Sequence, residues 1–342
     1  MARRIVVGVD SSTQSTKVEA RDLDSGEVVA TGAAPHPPTT PPVSEQDPIA
    51  WWDALADAVE RLGRARSDVV AMSVAGQQHG LVLLDADGEP VRPAKLWNDT
   101  TSAPQSDALV ERLGAGRWAA SIGSVPVAAF TITKLAWVAE HEPEVLARAA
   151  RVMLPHDYLT WQLTGEHVTD RGDASGSGWF DPSTGTIHTE LLELAAGGEA
   201  WDSRVPRVLG PREPAGGLLP ESAAMLGLPA DMVVGPGTGD NMGAALGLGL
   251  RSGDVAISLG TSGTVFAVSD SATHDPSGAV AGFASASGDY LPLVCTLNAT
   301  KVTDSVARWL GTDAAGLADL ALPSADDPGT ATLVPYFDGE RT

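Results

Sequence analysis

The stretch that most constrains this chain is Gly235-Pro236-Gly237-Thr238-Gly239-Asp240-Asn241-Met242-Gly243. Met232-Val233-Val234 leads in and Ala244-Ala245-Leu246 leads out, which predicts a buried strand, a glycine-dense turn and a helix opening at Asp240 or Asn241. Glycines gather in such a turn when the backbone must reach positive φ or lie close to a ligand. One carboxylate, Asp240, stands at the apex. The residues alone leave two roles open for it, a helix N-cap or a group aimed at a ligand. A dinucleotide-binding turn is disfavoured, because Met242 stands where G-x-G-x-x-G needs its third glycine and Gly243 comes one position late.

The rest reads as an α/β chain long enough, at 342 residues, for two domains. The apolar run 5–9 predicts a central strand buried on both faces. It ends in the polar turn Asp10-Ser11-Ser12-Thr13-Gln14-Ser15, and returning strands are expected at 17–20 and 27–29. Six prolines in 35–48 make that segment an extended loop. Asp47-Pro48 then opens a helix with Ile49, Trp52, Leu55, Val59 and Leu62 on its core face. A strand at 69–74 delivers Ala75-Gly76-Gln77-Gln78-His79-Gly80 to a loop, and Asp85-Ala86-Asp87-Gly88 reads as a hairpin turn. Helical spacing recurs at 108–113, 134–139 and 157–163, whereas 165–188, rich in Gly, Ser, Thr and Asp, reads as loops with short strands. The opening pattern then repeats: a strand at 254–259, the turn Gly260-Thr261-Ser262-Gly263, a return at 264–267, a strand at 291–297 and a helix at 303–310. Strand, polar turn and strand at the head of each half suggest two related domains facing one cleft.

With 22 basic and 44 acidic residues the net charge is −22, a field that repels nucleic acid and anionic membrane. A phosphate ligand would have to be received locally, by backbone N–H groups and a metal ion. The single cysteine, Cys295, forms no internal disulfide and is expected in the core, in keeping with a reducing cytosol. Several chemistries are absent from the sequence: no G-x-x-x-x-G-K-[ST] phosphate loop, no C-x-x-C or H-E-x-x-H, and no G-x-S-x-G elbow. What remains is two polar turns, whose amides can form anion-binding concavities, and one carboxylate loop. Asp10, at the mouth of the first turn, could hold Mg²⁺ directly or through water. Phosphoryl transfer needs little more than a metal, oriented N–H donors and a group that positions the nucleophile.

In family order along the whole chain run Gly8-Val9-Asp10-Ser11-Ser12-Thr13, Trp51-Trp52, Gly76-Gln77-Gln78-His79-Gly80, Leu96-Trp97-Asn98-Asp99, Phe130-Thr131-Ile132-Thr133-Lys134-Leu135-Ala136-Trp137, Asp157-Tyr158-Leu159, Leu163-Thr164-Gly165-Glu166, Gly239-Asp240-Asn241 and Ser258-Leu259-Gly260-Thr261-Ser262-Gly263. With them the sequence resembles the FGGY carbohydrate kinases, and within them the branch acting on D-xylulose. The resemblance implies two actin-like (ribonuclease H-like) domains around a cleft, a sugar-binding one at 1–243 and a nucleotide-binding one at 244–342. It implies ATP and Mg²⁺ as cofactors and a cytoplasmic enzyme, and it leaves a homodimer open. Asp240 would be the proton acceptor and Asp10 the magnesium-linked carboxylate. Gln78 and His79 would bind the ketose with Asp240 and Asn241, Trp97 walling the pocket. Ser12, Thr13, Gly260, Thr261, Ser262 and Gly263 would line the phosphate path.

Departures from the family pattern are Ser12 for a common glycine, Thr101 where many relatives carry Arg, and His156 for a frequent Lys. The chain also ends in Pro335-Tyr336-Phe337-Asp338-Gly339-Glu340-Arg341-Thr342, a motif internal in relatives, so the second domain is expected to be incomplete, with sheet edges exposed. Two rivals follow: a kinase of the same family acting on another ketose or polyol, and a non-catalytic sugar-binding remnant.

Overall fold

The computed structural model describes residues 3–327 and 329–336, so the closing motif from Phe337 onward lies outside the described residues. The first sheet grows from the strand Ile5–Ser11, in which Ile5, Val7 and Val9 are buried and Gly8 is exposed. Burial on both faces is thus corrected: one face packs on the core and the other opens onto a cleft. Ser15–Asp22 and Val28–Pro35 follow as an antiparallel meander. The helix Pro48–Glu60 then carries the chain over the sheet, and Val69–Gly76 lies parallel to Ile5–Ser11 on its other side. A parallel neighbour requires such a crossover. Val233–Val234 and Thr238–Gly239 extend the sheet, both parallel to Val69–Gly76. The carboxyl ends of these parallel strands therefore share one edge of the sheet.

Asp47 caps the crossover helix, its Oδ1 accepting the Ile49 N–H at 3.0 Å. Trp51, Trp52, Leu55, Ala58 and Val59 face the sheet. Ile49 does not: it sits in the first turn and is 41% exposed, so Trp51, at 0%, holds the place expected of it. A Cβ on Gly32 would fall 2.0 Å from the Ala58 carbonyl oxygen, which shows how closely helix and sheet pack.

The helices Ala103–Leu113, Thr131–His141 and Pro155–Thr164 begin five, three and two residues before their apolar spacing does. Pro143–Arg148, Thr189–Ala196 and Pro220–Leu226 were not expected, although proline opens two of them, a legible start signal. Within 165–188 the expected short strands form, Val168–Asp170, Phe180–Asp181 and Thr186–Ile187, with an unexpected short helix, Arg171–Ala174, and composition gave no sign of how deep residues 168–182 lie. They are buried almost throughout, with Gly172, Gly176 and Gly178 each too close to neighbours for a Cβ. Small residues, and the hydrogen bonds that Asp170 accepts from Gly172, Asp173 and Thr238, let this segment run through the interior.

The second sheet is antiparallel, in the order Val255–Leu259, Gly263–Ala267, Tyr290–Thr296, Ala281–Ala284. Phe266, Phe283, Leu291, Leu293 and Cys295 join a core with Leu81, Trp118, Phe130 and Met242 that runs across the boundary expected at 243/244. Its outer strand leaves Val255, Ile257 and Leu259 59%, 65% and 73% exposed.

Apolar character alone does not decide stability here. Leu55, at 0% exposure, and Leu246, at 60%, are both leucines of amphipathic helices. Leu55→Ala is expected to cost about 2–5 kcal/mol in urea unfolding, and Leu246→Ala no more than about 0.5 kcal/mol.

Candidate active site

The shared sheet edge brings the polar loops together. Asp10 is the penultimate residue of the first strand, Gln77-Gln78-His79 follows Val69–Gly76, and Asp240 opens the helix Asp240–Gly247 directly after Thr238–Gly239. Helix opening at Asp240 agrees with the sequence expectation, but the N-cap is Gly239. Asp240 Oδ1 accepts from the Asn241 N–H at 2.7 Å and from Asn241 Nδ2 at 2.9 Å. It therefore helps satisfy its own helix without being the cap, and Asp240 still borders the open cleft.

That cleft, of about 1060 Å³, is lined by Asp10, Ser12, Lys17, Arg61, Asp240 and Asn241, with Gly8 and Gly243 in its walls. Gln78 joins through Asn241, whose Nδ2 donates to Gln78 Oε1 at 2.8 Å. Two glycines are forced here: at Gly239 a Cβ would lie 2.7 Å from Gln78 Cγ, and Gly237, at φ +75°, presses on His156 Nδ1.

The other expected site residues are placed differently. His79 is 4% exposed and does not line the cleft. Its ring stacks on Phe130 at 5.3 Å and meets Phe283 of the second sheet at 5.3 Å. Trp97 Nε1 donates to Thr13 Oγ1 at 2.9 Å, and Thr13 donates to Gln77 Oε1 at 3.1 Å, which ties three loops together. Gly260, Thr261, Ser262 and Gly263 are not among the cleft-lining residues. The carbonyls of Gly260 and Thr261 receive N–H groups from the start of the helix Thr300–Trp309. Thr264 Oγ1 nevertheless reaches Asn241 Oδ1 at 3.3 Å, linking the second sheet to the site.

Burial, with Asp10 as a neighbouring like charge, pushes the Asp240 carboxyl up to about 6 against the pull of the Asn241 hydrogen bonds. Two features escaped the sequence reading. Lys17, one of only four lysines, places its Nζ 3.5 Å from Asp10 Oδ2. Beneath the glycine-rich turn, His156 meets the buried carboxylates of Asp157, Asp170 and Asp173. Asp170 and Asp173 come from the segment read as loops, so only their charge could have flagged them.

Residues 5–247 match the N-terminal domain of the FGGY family of carbohydrate kinases. The chain belongs to this family. It is 51% identical over 340 residues to the xylulose kinase of Streptomyces rubiginosus, covering 99% of this chain and 68% of that protein. The solved xylulose kinase of Bifidobacterium adolescentis superposes with a TM-score of 0.89 at 43% identity, over 100% of this chain and 74% of that one. A xylulose kinase structure from Brucella ovis gives 0.91 at 32% identity, over 99% and 70%. The fold is accordingly the actin-like, ribonuclease H-like α/β architecture of these kinases, and the chain is a carbohydrate kinase.

The raised Asp240 value has a sign that can be tested. Below pH 3.8 the carboxyl is protonated in both the folded and unfolded chain and costs nothing. Between pH 3.8 and about 6 the unfolded chain ionises first, so the fold loses stability as pH rises. Asp240→Asn is therefore expected to raise the melting temperature above pH 6, by about 2 °C or more, and to leave it unchanged below pH 4; scanning calorimetry across this range checks it.

Proposed function

We propose that this chain transfers the γ-phosphoryl group of ATP to a primary hydroxyl of D-xylulose, giving D-xylulose 5-phosphate, with Asp240 as proton acceptor. The carrying observation is that Asp240 and Asp10 face one cleft while Asn241 and Gln78 present hydrogen-bonding edges beside them. The sugar is taken from the relatives, which are named xylulose kinases.

Asp240 has the attributes of an acceptor. Its value near 6 leaves it ionised at neutral pH yet more basic than an ordinary carboxylate. In a loose transition state the proton leaves late, so orientation counts for more than basicity. Asn241 supplies that orientation through two hydrogen bonds to the same carboxylate oxygen. Trp97, fixed by Thr13, offers an apolar face.

The donor set suits Mg²⁺. No group of three or more metal-ligating side chains occurs among the described residues, and Mg²⁺ is commonly held by one or two carboxylates, waters and substrate phosphates. Asp10 would be its protein ligand, and the bound ion would neutralise charge on the transferring phosphate. Lys17 holds the Asp10 carboxylate at the cleft. In this reading residues 1–243 carry the sugar side and 244–342, with Gly260, Thr261, Ser262 and Gly263, the nucleotide side. Closure of one on the other would exclude water.

A coupled ADP-release assay with MgATP and a panel of pentuloses, gluconate and glycerol tests this. The expected result is the highest kcat/KM for D-xylulose. Asp240→Asn should lower kcat by about 10²–10⁴-fold while calorimetry still detects sugar binding. Absence of transfer to any sugar, or a preference for a polyol, overturns the assignment.

A further inference from the structure

The glycine-rich turn rests on a buried polar floor to which the reaction as described assigns nothing. His156 is fully buried, and its Nε2 lies 3.3 Å from Asp157 Oδ1, 3.2 Å from Asp170 Oδ1 and 3.7 Å from Asp173 Oδ2. His156 is also a wedge. A Cβ on Gly76, which leads into Gln77-Gln78-His79, would come 2.8 Å from His156 Cβ, and one on Gly237 would come 2.8 Å from His156 Nδ1. The histidine thus sits between the two loops that carry Gln78 and Asp240.

Both loops meet the floor. On one side His79 Nδ1 approaches Asp173 Oδ1 at 4.0 Å, beyond hydrogen-bond distance. On the other, Asp170 Oδ2 accepts from Thr238 Oγ1 at 2.8 Å and from the Gly172 N–H at 2.7 Å, while Asp170 Oδ1 accepts the Asp173 N–H at 3.0 Å. Thr238 precedes Asp240 by two residues, across a Gly239 pressed against Gln78. Among the described residues the Asp240 carboxylate accepts hydrogen bonds from its neighbour Asn241, so its aim depends on where this backbone lies.

Three ionised carboxylates could not be buried together beside one imidazole, because desolvation would exceed their pairing energy. Burial accordingly pushes Asp157 and Asp173 well above the carboxylate range, lifts Asp170 to about 6 and lowers His156 to about 3. Burial thus disfavours charge on every member of the floor, and within it His156 Nε2 pairs with Asp170 Oδ1 at 3.2 Å.

We propose that Thr238 and Asp170, braced by His156, are positioning residues that fix the turn from which Asp240 addresses the sugar hydroxyl. This rests on Asp240 being the proton acceptor of the preceding reading. It separates two functions of the loop: sugar binding, carried by Gln78 and Asn241, and alignment for proton transfer, carried by the floor.

The test compares Thr238→Val, Thr238→Ser, Asp170→Asn and the Thr238→Val/Asp170→Asn pair with the unsubstituted protein, by steady-state kinetics with MgATP and D-xylulose and by calorimetry with D-xylulose alone. Thr238→Val exchanges a hydroxyl for a methyl of similar size, so folding is preserved, and thermal unfolding checks this. The expected result is a kcat lower by about tenfold or more in Thr238→Val with KM and sugar affinity within about threefold, the signature of an interaction used in the transition state. Thr238→Ser should recover kcat to within about threefold. The pair should lose no more than the worse single variant, since both break one link. An unchanged kcat in Thr238→Val, a loss matched by an equal rise in KM, or single losses that multiply in the pair would each overturn the positioning role while leaving the kinase assignment intact. An unsubstituted protein that neither binds nor phosphorylates the sugar would overturn the kinase reading first, and this inference with it.

Discussion

Parallel pairing around Val69–Gly76 is the constraint on which the site depends. Ile5–Ser11 lies on one side of that strand, and Val233–Val234 with Thr238–Gly239 on the other, all pointing the same way. Strands laid so must release their chains at a common edge, and open α/β sheets bind ligands outside the carboxyl ends of their strands. Residues more than 200 positions apart in sequence, Asp10 and Asp240, thereby come to line one cleft. Strand polarity, enforced by the helix Pro48–Glu60 as crossover, does the assembling before any side chain is considered.

Electrostatics then sets a local problem. The chain carries −22 overall, and its cleft is lined by three carboxylates, Asp10, Glu19 and Asp240, where a polyphosphate would have to arrive. Long-range attraction is therefore not how such a ligand would be held. Lys17 and Arg61 line the same cleft, and backbone amides add dipoles that cost no net charge. A cation shared between ligand and Asp10 would settle the remaining repulsion. The same crowding of like charge contributes to the raised Asp240 value, so the feature that hinders anion approach also makes that carboxylate a better acceptor.

Local signals in the sequence reached far for turns and strands and less far for burial. The strand from Ile5, expected at 5–9 and found to run on to Ser11, the Asp47-Pro48 helix start and the glycine-rich turn with a helix from Asp240 were legible, because proline, glycine and short apolar runs act over a few residues. The two faces of Ile5–Ser11 were not distinguishable, since Val6 and Val7 are equally apolar and only the tertiary fold decides which one is fully buried. Ile49 was assigned inward on spacing, whereas its first-turn position turns it to solvent. His79 followed from its motif, but its place behind the cleft, between Phe130 and Phe283, depends on a strand some 200 residues later.

The largest illegible element was 168–182, whose composition is that of a surface loop. A polar segment can be interior only if its hydrogen-bonding groups find partners there, and composition carries no record of partners. Asp170 shows how it is done: one carboxylate accepts from Gly172, Asp173 and Thr238 and also faces His156. An apolar residue at 170 would leave two backbone N–H groups and a hydroxyl without these acceptors beneath the very turn that must hold still, each loss costing about 1–3 kcal/mol. A hydrocarbon floor could fill the same volume, but it would let the turn slide. Directional bonds from a buried carboxylate fix both distance and angle, and aiming Asp240 from a glycine-rich backbone requires both.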